Sequence, residues 1–158
     1  MKKYFTVATI VVLVSVLFWP RLTKKHIPLS PPEIRVTYNQ SKIETIKNEY
    51  TWCDKPNGGA THMGDNPLDL TKNLKTVSVK KGEEIKFDFD TSWKQPNKTA
   101  VDLVVAGKDG PLYPNLVKQV VNKNSFNAPV ENGEYTYSIF GWWEEGRSVT
   151  YVFKINVM

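Results

Sequence analysis

The sequence has little cysteine and little histidine, with one Cys and two His among 158 residues. A single cysteine excludes an intramolecular disulfide framework and any zinc module built on several cysteines. Ten prolines and nine glycines without a fixed period exclude collagen-like and low-complexity chains. The length fits one compact domain with a short appendage.

Charge is unevenly distributed along the chain. The formal net charge is +5, but residues 1–31 hold five of the 21 basic residues and no acidic residue. Residues 32–158 therefore hold 16 basic and 16 acidic residues and are formally neutral. This balance predicts no polybasic surface for phosphates, and nucleic acid is not an expected partner.

The longest uncharged run covers residues 4–19, between Lys2-Lys3 and Pro20-Arg21. It is rich in Val, Leu, Ile and Phe. As a helix it would span roughly 24 Å, a little less than the roughly 30 Å hydrocarbon core of a bilayer. The run predicts a membrane-inserted segment, with the membrane as a partner through residues 4–19.

No site for signal peptidase follows this run, because such a site needs small residues and the chain continues as Phe18-Trp19-Pro20. We expect residues 1–19 to be an uncleaved anchor, the alternative being a cleaved signal peptide. Flanking charges nearly balance and do not fix orientation. The short Lys-Lys start favours an extracytoplasmic domain over a cytoplasmic one. Residues 20–32, with four prolines, predict an extended tether.

Residues 33–158 alternate apolar and polar residues between turn residues, a pattern typical of β-strands. Asn39-Gln40 predicts a hairpin turn into a strand that continues to Trp52. Residues 77–79 and 85–89 predict a second hairpin around Gly82. We expect seven to nine strands, no helix after the anchor, and an all-β antiparallel sandwich of about 125 residues.

Residues 131–137, Glu-Asn-Gly-Glu-Tyr-Thr-Tyr, resemble the D-x-G-x-Y-x-C run of immunoglobulin-like domains. The resemblance implies that Tyr135 is a corner tyrosine, whose hydroxyl binds backbone a few residues upstream. Tyr137 takes the place of the core cysteine, so the usual inter-sheet disulfide is absent. Strand alternation from Tyr135 places Trp143 in the core as well.

A wider resemblance covers roughly residues 33–158. It is carried by turn and core motifs, which are Tyr-Thr-Trp at 50–52, Asn-Pro-Leu-Asp-Leu at 66–70, residues 81–89, 126–129 and 133–137, Trp-Glu-Glu-Gly at 143–146, and residues 151–157. Their order is similar to exported immunoglobulin-like domains of Bacillus-like bacteria, found in small membrane-anchored proteins and attached to antirepressor-type membrane peptidases. The resemblance implies fold and location and supplies no catalytic residue.

The segment from Cys53 to Asp65 is absent from that resemblance and contains His62. Thiolate, imidazole and carboxylate are ligands for zinc or copper, so Cys53, His62 and Asp65 are a candidate metal set. Their spacing matches no zinc pattern, and a polar Gly/Pro/Asn loop is the simpler interpretation; no cofactor is predicted. Cys53 with His62 would also make the nucleophilic pair of a small hydrolase, given an oriented base and a cleft.

Adjacent Trp142 and Trp143 must point to opposite faces of a strand. With Trp143 inward, Phe140 and Trp142 would form an outward apolar patch suited to a sugar, a peptide or a protein partner. A bulge at Gly141 or a covering loop is the alternative. The sequence predicts a non-enzymatic, membrane-tethered, extracytoplasmic binding or sensing domain whose partner is an envelope protein or glycan. Metal binding through the Cys53–His62 loop is the alternative function.

Overall fold

The computed structural model describes residues 27–54, 58–91, 93–107 and 110–158. The predicted anchor and the first part of the tether, residues 1–26, lie outside this description. Among the described residues, no helix combines the length and apolarity needed to cross a bilayer. The elements are β1 (Glu33–Tyr38), β2 (Ser41–Ile43), β3 (Ile46–Asp54), β4 (Gly58–His62), α1 (Pro67–Thr71), β5 (Val77–Val79), β6 (Glu84–Asp90), β7 (Lys98–Gly107), β8 (Gly110–Lys118), β9 (Ser125–Asn127), β10 (Gly133–Trp142), a 3₁₀ turn (Glu144–Gly146) and β11 (Ser148–Val157).

The strands form two sheets. A four-stranded sheet has the order β2-β1-β6-β9, and a seven-stranded sheet has the order β4-β3-β11-β10-β7-β8, with β5 paired to β11. Apart from the parallel β5–β11 pair, all strand pairs are antiparallel. The predicted all-β architecture of two antiparallel sheets is confirmed.

One hydrophobic core fills the space between the sheets. The alternation of β6 buries Ile85, Phe87 and Phe89 and leaves its charged residues exposed. From the opposite sheet, Trp143 meets the Phe89 ring edge-on, with ring centroids 5.4 Å apart. Burying each such aromatic side chain stabilises the fold by roughly 1.5–3 kcal/mol, so this interdigitation holds the sandwich together.

β10 lies between β11 and β7 in the seven-stranded sheet, packs one face on the core and has no bulge. Its register with β11 is continuous from Gly133 to Trp142, which excludes the predicted alternative of a reset at Gly141. A Cβ on Gly141 would lie 2.8 Å from Cζ of Phe89 and 3.0 Å from the Trp143 ring. Glycine is required here because two core rings occupy the space of its side chain.

Four predictions about the elements and their connections were wrong. The chain leaves the four-stranded sheet after Ile43 and enters the seven-stranded sheet at Ile46, so β2 and β3 are separate strands. Residues 77–79 form no hairpin with β6, because β5 pairs with β11 in the other sheet. The described residues contain eleven strands rather than the predicted seven to nine, and they contain the short helix α1, where no helix was predicted. Alternation is the same whichever neighbour a strand takes, so it could not distinguish these pairings.

Tyr135 and Tyr137 occupy the positions expected from the immunoglobulin-like motif. The Tyr135 hydroxyl donates to the Glu131 carbonyl oxygen at 3.2 Å, four residues upstream, as a corner tyrosine should. Tyr137 is fully buried and stacks on Phe153, with ring centroids 5.5 Å apart. Its hydroxyl has no hydrogen-bond partner among the described residues, and burial raises its pKa.

The C-terminal part of the predicted tether is attached to the sandwich. The Trp52 indole Nε1 donates to the Pro28 carbonyl oxygen at 2.7 Å, and the Tyr151 hydroxyl donates to the carbonyl oxygen of Pro32. Pro31 and Pro32 are buried. Residues 28–32 therefore belong structurally to the domain rather than to a free spacer.

Candidate binding groove

The outer face of the seven-stranded sheet, away from the four-stranded sheet, carries a groove. Along β10 this face presents Thr136, Ser138, Phe140 and Trp142. Helix α1 covers the Thr136 end, and beyond it lies a concavity of about 530 Å³. Its volume falls within the range of roughly 300–1,000 Å³ that small-ligand sites occupy.

One wall of the groove is the segment 63–67, which is held in place by Asn48 of β3. The Asn48 carboxamide is buried, donates to the Asp65 carbonyl oxygen at 3.0 Å and accepts from the Asp65 N–H at 2.8 Å. A Cβ on Gly64 would lie 3.0 Å from Oδ1 of Asn48. The two hydrogen bonds between the Asn48 side chain and the Asp65 backbone hold this wall against the sheet, and Gly64 allows the close approach.

A β-bulge puts Asn48 in that position. Tyr50 pairs with Val149 and Lys47 pairs with Tyr151, so β3 has one residue more than β11 over this interval. Bulges redirect side chains at sheet edges and near binding sites. Here the extra residue lets Asn48 reach the wall segment instead of following the simple alternation.

Helix α1 closes one end of the groove. The Asn66 side chain caps it by accepting from the Leu68 N–H at 3.0 Å, and Pro67 occupies the first turn, where its missing N–H costs nothing. At its last residue, the Thr71 hydroxyl lies 3.1 Å from the Thr136 hydroxyl of β10. The helix is thus fixed on the outer face and leaves the Phe140 end open.

The floor of the groove is formed by Ser138, Phe140 and Thr150, and its rims carry apolar side chains. Met63, on the fixed wall, is 85% exposed, and Leu116, on β8, is 56% exposed. Isolated exposed apolar side chains are ordinary on a protein surface, but here two of them flank one concavity above a half-buried phenylalanine. The lining combines apolar contact area with hydroxyl groups.

Among the residues that the structure describes, the charged groups lining the groove are all acidic, namely Glu49, Asp65 and Asp102. Burial raises the pKa of Asp102, and the positive charge of Lys118 opposes that shift. Lys118 pairs with Asp102 in the register of β7 and β8 but does not line the groove. The groove therefore favours positive charge.

Ser138 lies beside Asp102 in the register of β10 and β7. The side chain lines the groove and is only 7% exposed, and its hydroxyl makes no hydrogen bond within the described part of the chain. Its oxygen is not among the buried side-chain atoms that lack a partner in the described residues, so it is open to water or to a ligand in the groove. It is a free polar group directed at the groove.

The structure confirms the predicted orientation of the two tryptophans. Trp143 is fully buried and Trp142 is half-buried on the outer face. The Lys98 ammonium lies 5.6 Å from the Trp142 ring centroid, a cation–π contact that covers part of the ring. Of the predicted binding pair, Phe140 lines the groove and Trp142 lies next to it on the strand. Their binding role stays a prediction.

The candidate metal residues are not brought together. Cys53 pairs with Gly59 and His62 with Tyr50, so the two side chains lie on opposite faces of the β3–β4 hairpin and about 10 Å apart along it. His62 stacks on Tyr50, with ring centroids 5.8 Å apart, and Asp65 lies in the groove wall. Across the described ranges, no three His, Cys, Asp or Glu residues are arranged to hold a metal ion. The same separation prevents contact between the Cys53 thiol and the His62 imidazole.

Sequence reasoning missed Asn48, Asp102 and helix α1 as parts of a site. Ser138 was within reach, because alternation placed it on the same face as Phe140. Asn48 could not be found, since its role depends on a bulge, and Asp102 depends on which strand neighbours β10. Asn66 followed by Pro67 is a helix-start pattern that the sequence did contain.

Comparison with known proteins adds no family to this description. No protein-family model matches the chain, and no curated protein sequence matches it at a significant level.

Proposed function

We propose that the chain is a membrane-tethered, extracytoplasmic, immunoglobulin-like domain that binds a partner in the cell envelope through the groove over Phe140. The observation that carries this proposal is the groove itself. It has a half-buried aromatic floor, a hydroxyl at Ser138 that makes no hydrogen bond within the described residues, and a wall fixed by hydrogen bonds. Pre-formed concave sites with apolar lining and a few polar groups are where ligands bind.

The immunoglobulin-like assignment is supported by the corner bond of Tyr135 and by the position of Tyr137 in the core between two antiparallel sheets. The membrane assignment is supported by the uncharged run at residues 4–19. The export direction is supported by the short basic start before that run.

Binding is proposed rather than catalysis because the groove lacks a nucleophile paired with a base among the described residues. The Ser138 hydroxyl makes no hydrogen bond there, and His62 stacks on Tyr50 outside the groove lining. A nucleophilic hydroxyl needs a base within hydrogen-bond reach.

Location is tested by fractionating cells that express the full-length chain and by treating spheroplasts with external protease. We expect the chain in the membrane fraction, at full length, with the domain degraded from outside. A soluble mature form beginning beyond residue 20 would contradict the anchor, and full protection from protease would contradict the orientation.

Binding is tested by placing a photo-crosslinking amino acid at position 140 in intact cells. Phe140→p-benzoylphenylalanine should give a discrete crosslinked product. Arg35→p-benzoylphenylalanine, on the exposed outer face of the four-stranded sheet, is the matched control and should not give it. Identical products from both positions, or none from position 140, would contradict a binding role for the groove.

A further inference from the structure

The groove contains acidic groups without basic partners. Glu49, Asp65 and Asp102 line it, and no lysine, arginine or histidine of the described ranges does. None of the three takes part in an ion pair within the described residues. Lys118 offsets the charge of Asp102 in part, so a ligand that brings a positive charge would meet a potential that the described residues neutralise only in part.

Two polar groups on the groove converge on one place. Asp102 and Ser138 are register partners on adjacent strands, so their side chains stand next to each other on the outer face. The carboxylate is partly desolvated, and the Ser138 hydroxyl, on a residue that is 7% exposed, has no hydrogen-bond partner among the described groups. One cationic donor could bond both, because an ammonium carries three N–H groups and a guanidinium carries five.

Positive charges of the domain stand beside this place but do not fill it. Lys118 is the register partner of Asp102 on β8, yet the two side chains form no ion pair. Lys98 lies over the Trp142 ring, at the open end of the same face. Within the described residues, neither lysine forms an ion pair with Asp102 and no group forms a hydrogen bond with the Ser138 hydroxyl, so both groups are available to a ligand.

We propose that the groove binds a polypeptide segment through a basic side chain whose charged end sits between Asp102 and Ser138. This inference rests on the proposed function of the groove and names the chemistry of its ligand. The aliphatic stem of the basic residue would lie along Phe140. Apolar neighbours of that residue would contact the rims at Met63 and Leu116.

A peptide fits this lining better than a neutral glycan, which brings no charge to offset three carboxylates. It also fits better than an amino sugar, whose amine is attached to a polar ring and has no aliphatic stem to cover Phe140. Charge-assisted hydrogen bonds are about twice as strong as neutral ones, so Asp102 should decide the preference.

The test uses the full-length chain in a non-ionic detergent and a pair of matched peptides. The first peptide is glycine-leucine-lysine-leucine-glycine, capped at both ends, and the second has norleucine in place of lysine. Binding is followed by backbone amide chemical shifts of residues 138–142. We expect the lysine peptide to bind at least about tenfold more tightly than the norleucine peptide, which is the effect of one hydrogen bond to a charged group.

Two variants locate the interaction. Asp102→Asn should abolish the preference for lysine, and Ser138→Ala should weaken lysine-peptide binding by about two- to tenfold. Asp88→Asn, which removes an exposed carboxylate from the four-stranded sheet, is the control and should leave the preference unchanged. Unchanged chemical shifts away from the groove show that the variants stay folded, and Ser138→Ala provides a second reading if Asp102→Asn is disturbed.

Each contrary outcome has its own meaning. Equal binding of both peptides that still needs Phe140 overturns the basic-ligand inference and leaves the binding function standing. Glucosamine that saturates the groove more tightly than the lysine peptide overturns the choice of a polypeptide. Shifts of residues 138–142 by neither peptide overturn the inference, while the position-140 crosslink separately decides the proposed function.

Discussion

The outer faces of the two sheets follow the same alternation and have opposite characters. On the four-stranded sheet, Arg35, Lys86 and Asp88 are exposed, and Arg35 stands opposite Asp88 in the register. On the seven-stranded sheet, the corresponding face carries Ser138 and Phe140, enclosed by a helix, a fixed wall and β8.

This difference indicates that the outer face of the seven-stranded sheet has features that solubility alone does not require. The charged face has a concavity of its own, of about 490 Å³, but polar and charged side chains such as Glu84 and Lys86 line it, so it is well solvated and needs no contact to be stable. The half-buried Phe140, with the exposed Met63 and Leu116 at the rims, leaves apolar surface in water, which is unfavourable. Two faces with equal periodicity can thus have unequal functional potential, and the walls that decide between them come from connecting segments.

The largest expected effect separates the two sides of β10. Trp143→Ala should lower the free energy of unfolding by roughly 3–5 kcal/mol, because it removes a fully buried ring from the core. Trp142→Ala should cost less than about 1 kcal/mol, since its ring lies on the outer face under Lys98. Urea denaturation of both variants measures this. Equal losses would mean that the outer face is part of the core.

The next effect concerns the wall. Asn48→Ala should lower the free energy of unfolding by about 2 kcal/mol, because both backbone groups of Asp65 lose their partner. Asn127→Ala, on the exposed face of the four-stranded sheet, is the matched control and should stay within about 0.5 kcal/mol. If the two variants unfold alike, Asn48 does not hold the wall.

A smaller effect is expected at the corner tyrosine, where a substitution should lower the stability of the domain without changing the groove. Tyr135→Phe should cost about 1 kcal/mol, the net contribution of one hydrogen bond to the Glu131 carbonyl oxygen. Chemical shifts around Phe140 should not move, because the corner lies at the other end of β10. Thermal unfolding and amide spectra of the variant provide both readings. If the variant is as stable as the parent chain, the hydrogen bond of Tyr135 does not contribute to the free energy of unfolding.

The smallest effect is a difference in pH dependence between the two faces. Burial raises the pKa of Asp102 in the folded state, so ionisation of this carboxyl opposes folding as the pH rises through its ordinary range. Asp102→Asn should therefore raise the melting temperature near pH 7, and the gain should shrink as the pH falls towards 4. Asp88→Asn should show no such gain. Melting curves between pH 4 and 7 decide, and a constant difference would exclude titration of Asp102 as its cause.

Alternation carried the sequence-based prediction furthest where one strand contacts the core along its whole length. From Tyr137 to Trp143 it placed every inward residue correctly, because each step of a regular strand reverses the face. The corner at Tyr135 was predictable as well, since its bond is local and spans four residues.

What could not be predicted depends on contacts between distant parts of the chain. The pairing of β5 with β11 joins residues 77–79 to the C-terminus, and nothing local encodes it. The groove also depends on contacts between distant parts of the chain. Its wall needs the bulge at Asn48, and one of its acidic residues, Asp102, comes from the neighbouring strand β7. The site is assembled by topology from residues that are individually unremarkable in sequence.

The attachment of residues 28–32 to Trp52 and Tyr151 shortens the tether between the proposed anchor and the domain. With the proposed anchor ending at residue 19, eight residues rather than thirteen would separate it from the first attached residue. Full extension would then reach at most about 28 Å instead of about 45 Å. The volume that the groove can sweep falls to roughly a quarter, since volume scales with the cube of reach. A partner would have to present its binding segment close to the bilayer. There a short tether raises the effective concentration of the groove for that segment.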